Sequence, residues 1–473
     1  MMKLFKQPAI QQMSDFIPPF PPRHKKALGP IDTLKYARRD LLSIWPEEAF
    51  RLQFMGTKII NRSVFIANCP DVIRHVFETH HANYEKKSPL MRKALEPLLG
   101  DGLFISDGAT WQKHRAIEAP LFSPEQVAKY SEVMIATTEN YVQRWTTIKP
   151  GSTLDVFSEM KQLSADIICR TLFGDQLGAE QIVQIVTSFV EYQSATEQMD
   201  FTTFFGLPGW IPGLGSSSAN KEKAANASKR IHDIVDNTIA QGVKNGNQDT
   251  VLAHFLNRHG DKNTDNALTT EQIRNELIVL FMTGYETTAC TLAWTWYLIS
   301  QCPEVENRLH QEVDQVLGSN AATFADFTQL NYTRAIIEET MRLYPPVPLL
   351  SREASADDTI RRRPIPAGSI ILVVPWLLHR HELLWENPNH FIPERFLDDA
   401  PIKPDQFAYI PFSVGPRACV AKFFGTVETT LCLAILARHF RLALPKGQSV
   451  SHECRMNLRP KDNLPMQITP RSA

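Results

Sequence analysis

Apolar residues recur at helical spacing through most of this chain, and short period-two runs interrupt them only near its start and towards its end. Between Thr153 and Phe173, the residues Leu154, Phe157, Met160, Leu163 and Ile167 share one face, and Gly174 supplies a stop. A longer helix is predicted from Thr270, read as its cap with Glu271 and Gln272 in the first turn, to about Ser300, just before Pro303. A third runs from about Tyr332 to Tyr344 and ends at Pro345-Pro346. Shorter helices are expected from Asp32 to about Ser43 and after Asn68-Cys69-Pro70, where proline suits a first helical position. The strand-like runs are Phe50–Phe54 and Lys58–Ile66 around a Met55-Gly56 turn, a buried strand within 366–378, and a closing hairpin over 457–470. Residues 84–108, with Pro89, Pro97, Gly100, Gly102 and Gly108, read as a long irregular and therefore functional loop. The aromatic stretch 201–214, broken by Gly and Pro, reads as a buried loop, and 215–265 as polar helix with small breaks.

Composition narrows the classes. The 473 residues carry 50 Lys and Arg against 51 Asp and Glu, a balance that gives no reason to expect nucleic acid. Hydrophobic residues make up 43 %, enough for a large core. Seven cysteines, scattered and without a C-x-x-C pair, argue for a reducing compartment and against a disulfide frame or a cysteine-rich zinc site. No run reaches the ~18 uninterrupted apolar residues of a membrane span. Lys3 and Lys6 are not followed by an apolar signal region. The expectation is a soluble, cytoplasmic protein without a membrane anchor.

Four places carry candidate chemistry. The first is Pro411-Phe412-Ser413-Val414-Gly415-Pro416-Arg417-Ala418-Cys419, which opens an apolar helix. A cysteine at a helix start faces backbone N–H groups that favour thiolate, the form that ligates metal. Gly415 would let the loop approach a flat cofactor, Phe412 would pack beside the sulfur, and Arg417 offers a charge to an anion. The second is Trp111 and Arg115, i and i+4 on one helical face: either a surface pair, or an indole and a guanidinium aimed at a carboxylate. In the third, Thr283-Gly284-Tyr285-Glu286-Thr287-Thr288 sets glycine and threonines inside the longest apolar helix, where propensity disfavours them. There the Thr287 hydroxyl can bond the Thr283 carbonyl and loosen the helix, while Gly284 leaves room for a ligand. The fourth pairs Glu339 with Arg342, followed downstream by Pro393-Glu394-Arg395-Phe396.

F-x-x-G-x-R-x-C, W-x-x-x-R, G-x-E-T, E-x-x-R and P-E-R-F stand in the order and spacing of the cytochrome P450 family, which the chain resembles from about residue 30 onwards. It departs at Ala421, where the family usually has Gly, and at Thr283, where it has Ala or Gly. The resemblance implies a mainly α (α+β) fold, with a proline-rich arm over 1–30 and a single catalytic domain over 31–473. Small sheets and helices would enclose a b-type haem. It implies Cys419 as axial ligand of the haem iron, and Trp111, Arg115, Arg352 and Arg417 as partners of the propionates. Phe412, Gly415 and Gly284 would lie against the cofactor, and Glu286 and Thr287 would deliver protons. Glu339, Arg342 and Arg395 would form a buried triad pinning the thiolate loop, whose breakage costs about 3–5 kcal/mol.

The activity implied is a monooxygenase, an oxidoreductase acting on paired donors that inserts one atom of O2 into a hydrophobic molecule by hydroxylation or epoxidation. Electrons would come from a separate ferredoxin or flavodoxin with its reductase, with Lys113, Lys422 and the arginines near Cys419 as a basic docking face. The alternatives are a haem-thiolate peroxygenase or isomerase, or a ligand-binding haem protein without O2 activation; neither requires the Glu286-Thr287 pair. Residues 84–105, 201–214, 281–287 and 346–351 would line the pocket. Of the cations near its mouth, Lys86, Lys87, Arg92 and Lys93, the sequence favours a solvated loop.

Overall fold

The computed structural model describes residues 16–37, 39–59, 62–197, 217–245, 249–258, 267–454 and 456–471. Among them the helices run in order α1 (Pro30–Ala37), α2 (Pro70–Arg74), α3 (Pro89–Leu99), α4 (Gly108–Glu118), α5 (Pro124–Thr146), α6 (Val156–Phe173) and α7 (Ala179–Glu197). The second half holds α8 (Ser218–Asn245), α9 (Val251–Leu256), α10 (Thr270–Ser300), α11 (Pro303–Leu317), α12 (Asn331–Leu343), α13 (Pro375–Leu378) and α14 (Lys422–His439). Helix α10 is the axis of the molecule: 23 of its residues are buried, and α3, α6, α8, α12 and α14 pack around it. Apolar burial on nearly all sides explains why its sequence lacks a polar face. Among the described residues it is also the one helix long and apolar enough to cross a membrane, but 83 % of that window is buried inside the protein, as in a core helix.

The strands form small sheets at the rim. β1 (Phe54–Ile59) and β2 (Arg62–Ala67) are antiparallel, β7 (Ile370–Val373) runs parallel to β2, and β4 (Leu350–Glu353) closes that sheet on the far side of β7. β3 (Thr153–Asp155) and β8 (Phe440–Ala443) flank β11 (Pro465–Pro470), β9 (His452–Cys454) pairs with β10 (Leu458–Pro460), and β5 (Asp358–Ile360) with β6 (Arg363–Ile365). Residues 16–29 have no regular structure, and the carbonyls of Phe16 and Pro19 accept from Phe391 N–H and the Tyr344 hydroxyl.

Several expected boundaries moved. Met55-Gly56 is not a turn: Gly56 pairs with Phe65 inside β1, where a Cβ would meet the Phe65 ring at 2.8 Å. Residues 84–108 are not irregular throughout, because Pro89 occupies the first turn of α3 and Pro97 falls near its end, leaving the N–H bonds between them intact. The cap of α10 is Thr269 and not Thr270, closing a capping box with Gln272. The chain's end makes no hairpin of its own; β10 and β11 belong to different sheets. The aromatic stretch 201–214 lies outside the described residues.

Candidate active site

Cys419 sits three residues before the start of α14, in a loop closed by its own backbone. Cys419 N–H donates to the Phe412 carbonyl at 2.9 Å, and Ala418 N–H to the Gly415 carbonyl at 3.0 Å. Gly415 has a φ of +74°. A Cβ there would lie 1.8 Å from the Phe77 carbonyl oxygen, so its glycine is demanded by the backbone beside α2, a different reason from the flat cofactor that the sequence suggested. Cys419 is the one exposed cysteine of seven, all free. Burial nevertheless raises its thiol above the ordinary value, opposed by the Ala421 backbone N–H and the charges of Arg115 and Lys422. Exposed surface and strong desolvation together describe a sulfur facing an internal cleft. The expected bias towards thiolate is thus outweighed by burial in the protein alone. Cys432, by contrast, lies in the middle of α14, fully enclosed, its sulfur 3.2 Å from the Thr138 hydroxyl.

The loop is held from behind. Glu339 and Arg342, both fully buried on α12, make a forked pair at 2.6 and 2.8 Å. The Arg395 Nε lies 3.5 Å from the same carboxylate, and Ile392 N–H donates to it at 2.8 Å. Arg342 spends its other donors on the carbonyls of His379, Pro388 and His390. His379 then carries the order forward, because its Nε2 accepts the Ile410 N–H at 2.9 Å, at the root of the Cys419 loop. Burial, helped by Arg342 and Arg380, lowers its pKa to about 3, so the imidazole is neutral and free to accept. Sequence reasoning missed His379; a histidine just after a buried strand offers no spacing signal.

Beside the loop, positive charge accumulates. Arg115 donates to the Ala418 carbonyl at 2.8 Å, and Arg417 donates to the Ser106 carbonyl at 2.7 Å while its guanidinium lies 4.8 Å from the Trp111 ring. Arg352, buried on β4, lies over Phe77. Burial and then Arg417 lower its pKa to about 9; burial lowers that of Arg417 to about 10, with Arg115 and Arg92 adding to the effect. Glu85, at 3.8 Å from Arg417, is the nearest carboxylate to that group, and the Arg417 Nη1 and Ser413 Oγ are buried without hydrogen-bond partners. Mutually destabilising buried cations with orphaned donors fit a flat group that carries carboxylates.

On α10 the Thr287 hydroxyl donates to the Thr283 carbonyl at 2.7 Å, as its position one turn on predicts, yet the helix continues unbroken. The Thr283 hydroxyl donates likewise to the Val279 carbonyl. Gly284 faces α6, where a Cβ would stand 3.2 Å from Ile168 Cδ1, so its room is taken up by helix packing. The Glu286 carboxylate is buried and accepts from Gln193 at 2.6 Å, Asn457 at 2.7 Å and Arg459 at 3.4 Å. Two residues further along the same helix, the Thr288 hydroxyl donates to Glu428 of α14 at 3.2 Å, and Ser164 of α6 approaches the other oxygen at 3.4 Å. Glu428 was not expected from the sequence, where a lone Glu in an apolar helix carries no pattern. Lys113, expected on a docking face, donates to the Ala267 carbonyl.

A helical protein whose one exposed cysteine lies in a loop beside buried cations is of the haem-enclosing class. The cytochrome P450 family description matches residues 48–467, and the chain belongs to that family. It is 30 % identical over 398 residues to cyclooctatin synthase of Streptomyces melanosporofaciens, covering 84 % of each chain. It is 29 % identical to that organism's cyclooctat-9-en-7-ol 5-monooxygenase, covering 82 % of each, and 28 % identical to the chloroplastic protein LUTEIN DEFICIENT 5 of Arabidopsis thaliana, covering 84 % of this chain and 68 % of that one. In fold it matches the haem domain of cytochrome P450DA with a TM-score of 0.79 over 96 % of this chain and 98 % of that one, at 23 % identity. The protein is a haem-thiolate monooxygenase that binds haem b and incorporates oxygen from O2.

Proposed function

We propose that Cys419 is the thiolate that takes the haem iron, and that Trp111, Arg115, Arg352 and Arg417 hold the propionates. The observation that carries this reading is that the one exposed cysteine lies in a loop with mutually destabilising cations, Arg352 without a carboxylate partner and Arg417 with only Glu85 at 3.8 Å. Haem b, when bound, supplies oxygen activation and insertion of one oxygen atom, chemistry to which a thiolate ligand lends electron density.

The chain's own residues supply the rest. The Glu339–Arg342–His379 route fixes the loop, and Phe412 braces it by accepting the Cys419 N–H. Arg115 keeps a positive charge beside the sulfur and favours thiolate. Thr287 holds a proton at Oγ1, donates it to the Thr283 carbonyl at rest, and keeps lone pairs with which to accept another. Glu286, the proposed second member of the relay, is tied to Gln193, Asn457 and Arg459, so it acts only when one of those bonds opens.

The substrate is a hydrophobic small molecule. The apolar character of Phe281, Met282, Leu349 and Leu350 supports this, as does the name of the relative that oxidises a cyclic alkenol. A separate ferredoxin or flavodoxin is proposed as electron donor, with exposed Lys422 on the docking face. A cytoplasmic location is proposed because all seven cysteines are free. Turnover under isotope-labelled dioxygen tests the reaction class. One labelled atom per product molecule is expected; label only from water or peroxide would overturn it.

A further inference from the structure

Lys87 stands where the sequence favours a solvated loop, but the structure turns it inward. The Lys86 carbonyl accepts Glu353 N–H at 2.9 Å, and the Ser88 hydroxyl lies 3.2 Å from that of Ser351. These two contacts bracket Lys87 against β4 opposite Arg352. Its ammonium rests 3.2 Å from the centre of the Phe104 ring, and among the described residues it has no hydrogen-bond or ion-pair partner. Burial, then the charges of Arg352 and Arg417, hold its pKa well below the usual lysine value.

Charge pairing around it is incomplete. Arg92 is paired by Asp107 at 2.6 Å, and Arg417 has Glu85 at 3.8 Å. Among the described residues Lys87, Arg115 and Arg352 form no ion pair with a carboxylate, although Arg115 feels the charge of Glu118. The two propionates of haem b match two of these three, and Lys87 is the one whose ammonium borders Phe104, within a stretch read as pocket lining.

We propose that Lys87 is a carboxylate-recognition residue, whose ammonium takes the acid group of an amphipathic organic molecule that lays its apolar body past Phe104. The same chemistry would hold a cofactor propionate, and the charge pairing rests on the haem reading above; the experiment separates these.

The full-length protein is loaded with haem and compared with Lys87→Met, of similar length but uncharged, and Lys87→Arg. Calorimetry gives the affinity for a saturated straight-chain acid and for the alcohol of the same length, and haem loss is followed by transfer to an excess of apoglobin. Wild type is expected to prefer the acid by about tenfold or more, Lys87→Met to lose the preference, and Lys87→Arg to keep it, the scale of one charge-assisted hydrogen bond. With haem transfer unchanged, that result assigns the carboxylate to a substrate. Haem transfer made several-fold faster by Lys87→Met, with ligand preference unaltered, assigns it to a propionate. If Lys87→Met changes neither, the proposal is overturned. A wild type that takes up no haem overturns the cofactor reading instead, and is recognised by its spectrum before any titration; the acid–alcohol comparison then still decides Lys87.

Discussion

Thr287 can be changed with little disturbance to the fold, since its hydroxyl bonds only a carbonyl of its own helix. Thr287→Ala is expected to retain haem and substrate binding and to divert most of the reducing equivalents to peroxide. Product formed per reductant consumed is the measurement, and unchanged coupling would remove Thr287 from proton handling. Glu428 lends itself to a different test. Burial raises its pKa to about 8, only partly offset by Thr288 and Ser164, and no other charged group is among the causes of its shift. A carboxyl raised in the folded state binds more protons there than in the unfolded chain, so its contribution is fully present below about pH 4.5 and is lost as pH rises through about 8. Glu428→Gln should flatten this part of the profile and make the protein relatively more stable at alkaline pH. Chemical denaturation of both proteins across that window checks it; parallel profiles would mean that Glu428 is ionised at neutral pH.

At the scale of elements, the sequence was most informative where one physical rule acted alone. The helices α10 and α12 follow apolar periodicity and emerge within a residue or two of their expected ends, while α6 keeps its expected end but starts at Val156 because Thr153–Asp155 form β3. The Glu339–Arg342 pair was legible from its spacing on a helix, whereas Arg395, distant in sequence, was joined to it only by the family resemblance. Helix α3 was hidden because proline weighs as a breaker unless its place in the first turn is recognised. Lys87 and His379 were hidden because their burial depends on β4 and the Cys419 loop, which are distant in sequence. Gly415 marks the limit of such reading: a glycine was correctly singled out, but the group that crowds it is the backbone of Phe77. Gly415→Ala must displace that contact and accept a φ of +74°, so it should cost at least about 1 kcal/mol and loosen the Cys419 loop. A lower unfolding midpoint with faster haem loss is the expected outcome; unaltered stability would mean that the backbone at Phe77 yields freely.

For the whole molecule, the account is one of convergence. The triad supports the Cys419 loop through His379 and Ile410, Arg115 of α4 and Lys422 act on its sulfur, and Arg352 of β4 faces Arg417 of the loop. Cys432, thirteen residues further along, has the burial of a core residue and a hydroxyl for a neighbour. The measurement that most directly tests this arrangement is the absorption spectrum of the reduced protein under carbon monoxide, recorded for wild type, Cys419→Ser and Cys432→Ser. The account predicts the family's red-shifted Soret band in wild type and Cys432→Ser, and its loss in Cys419→Ser. A band that survives in Cys419→Ser, or vanishes only in Cys432→Ser, would contradict it.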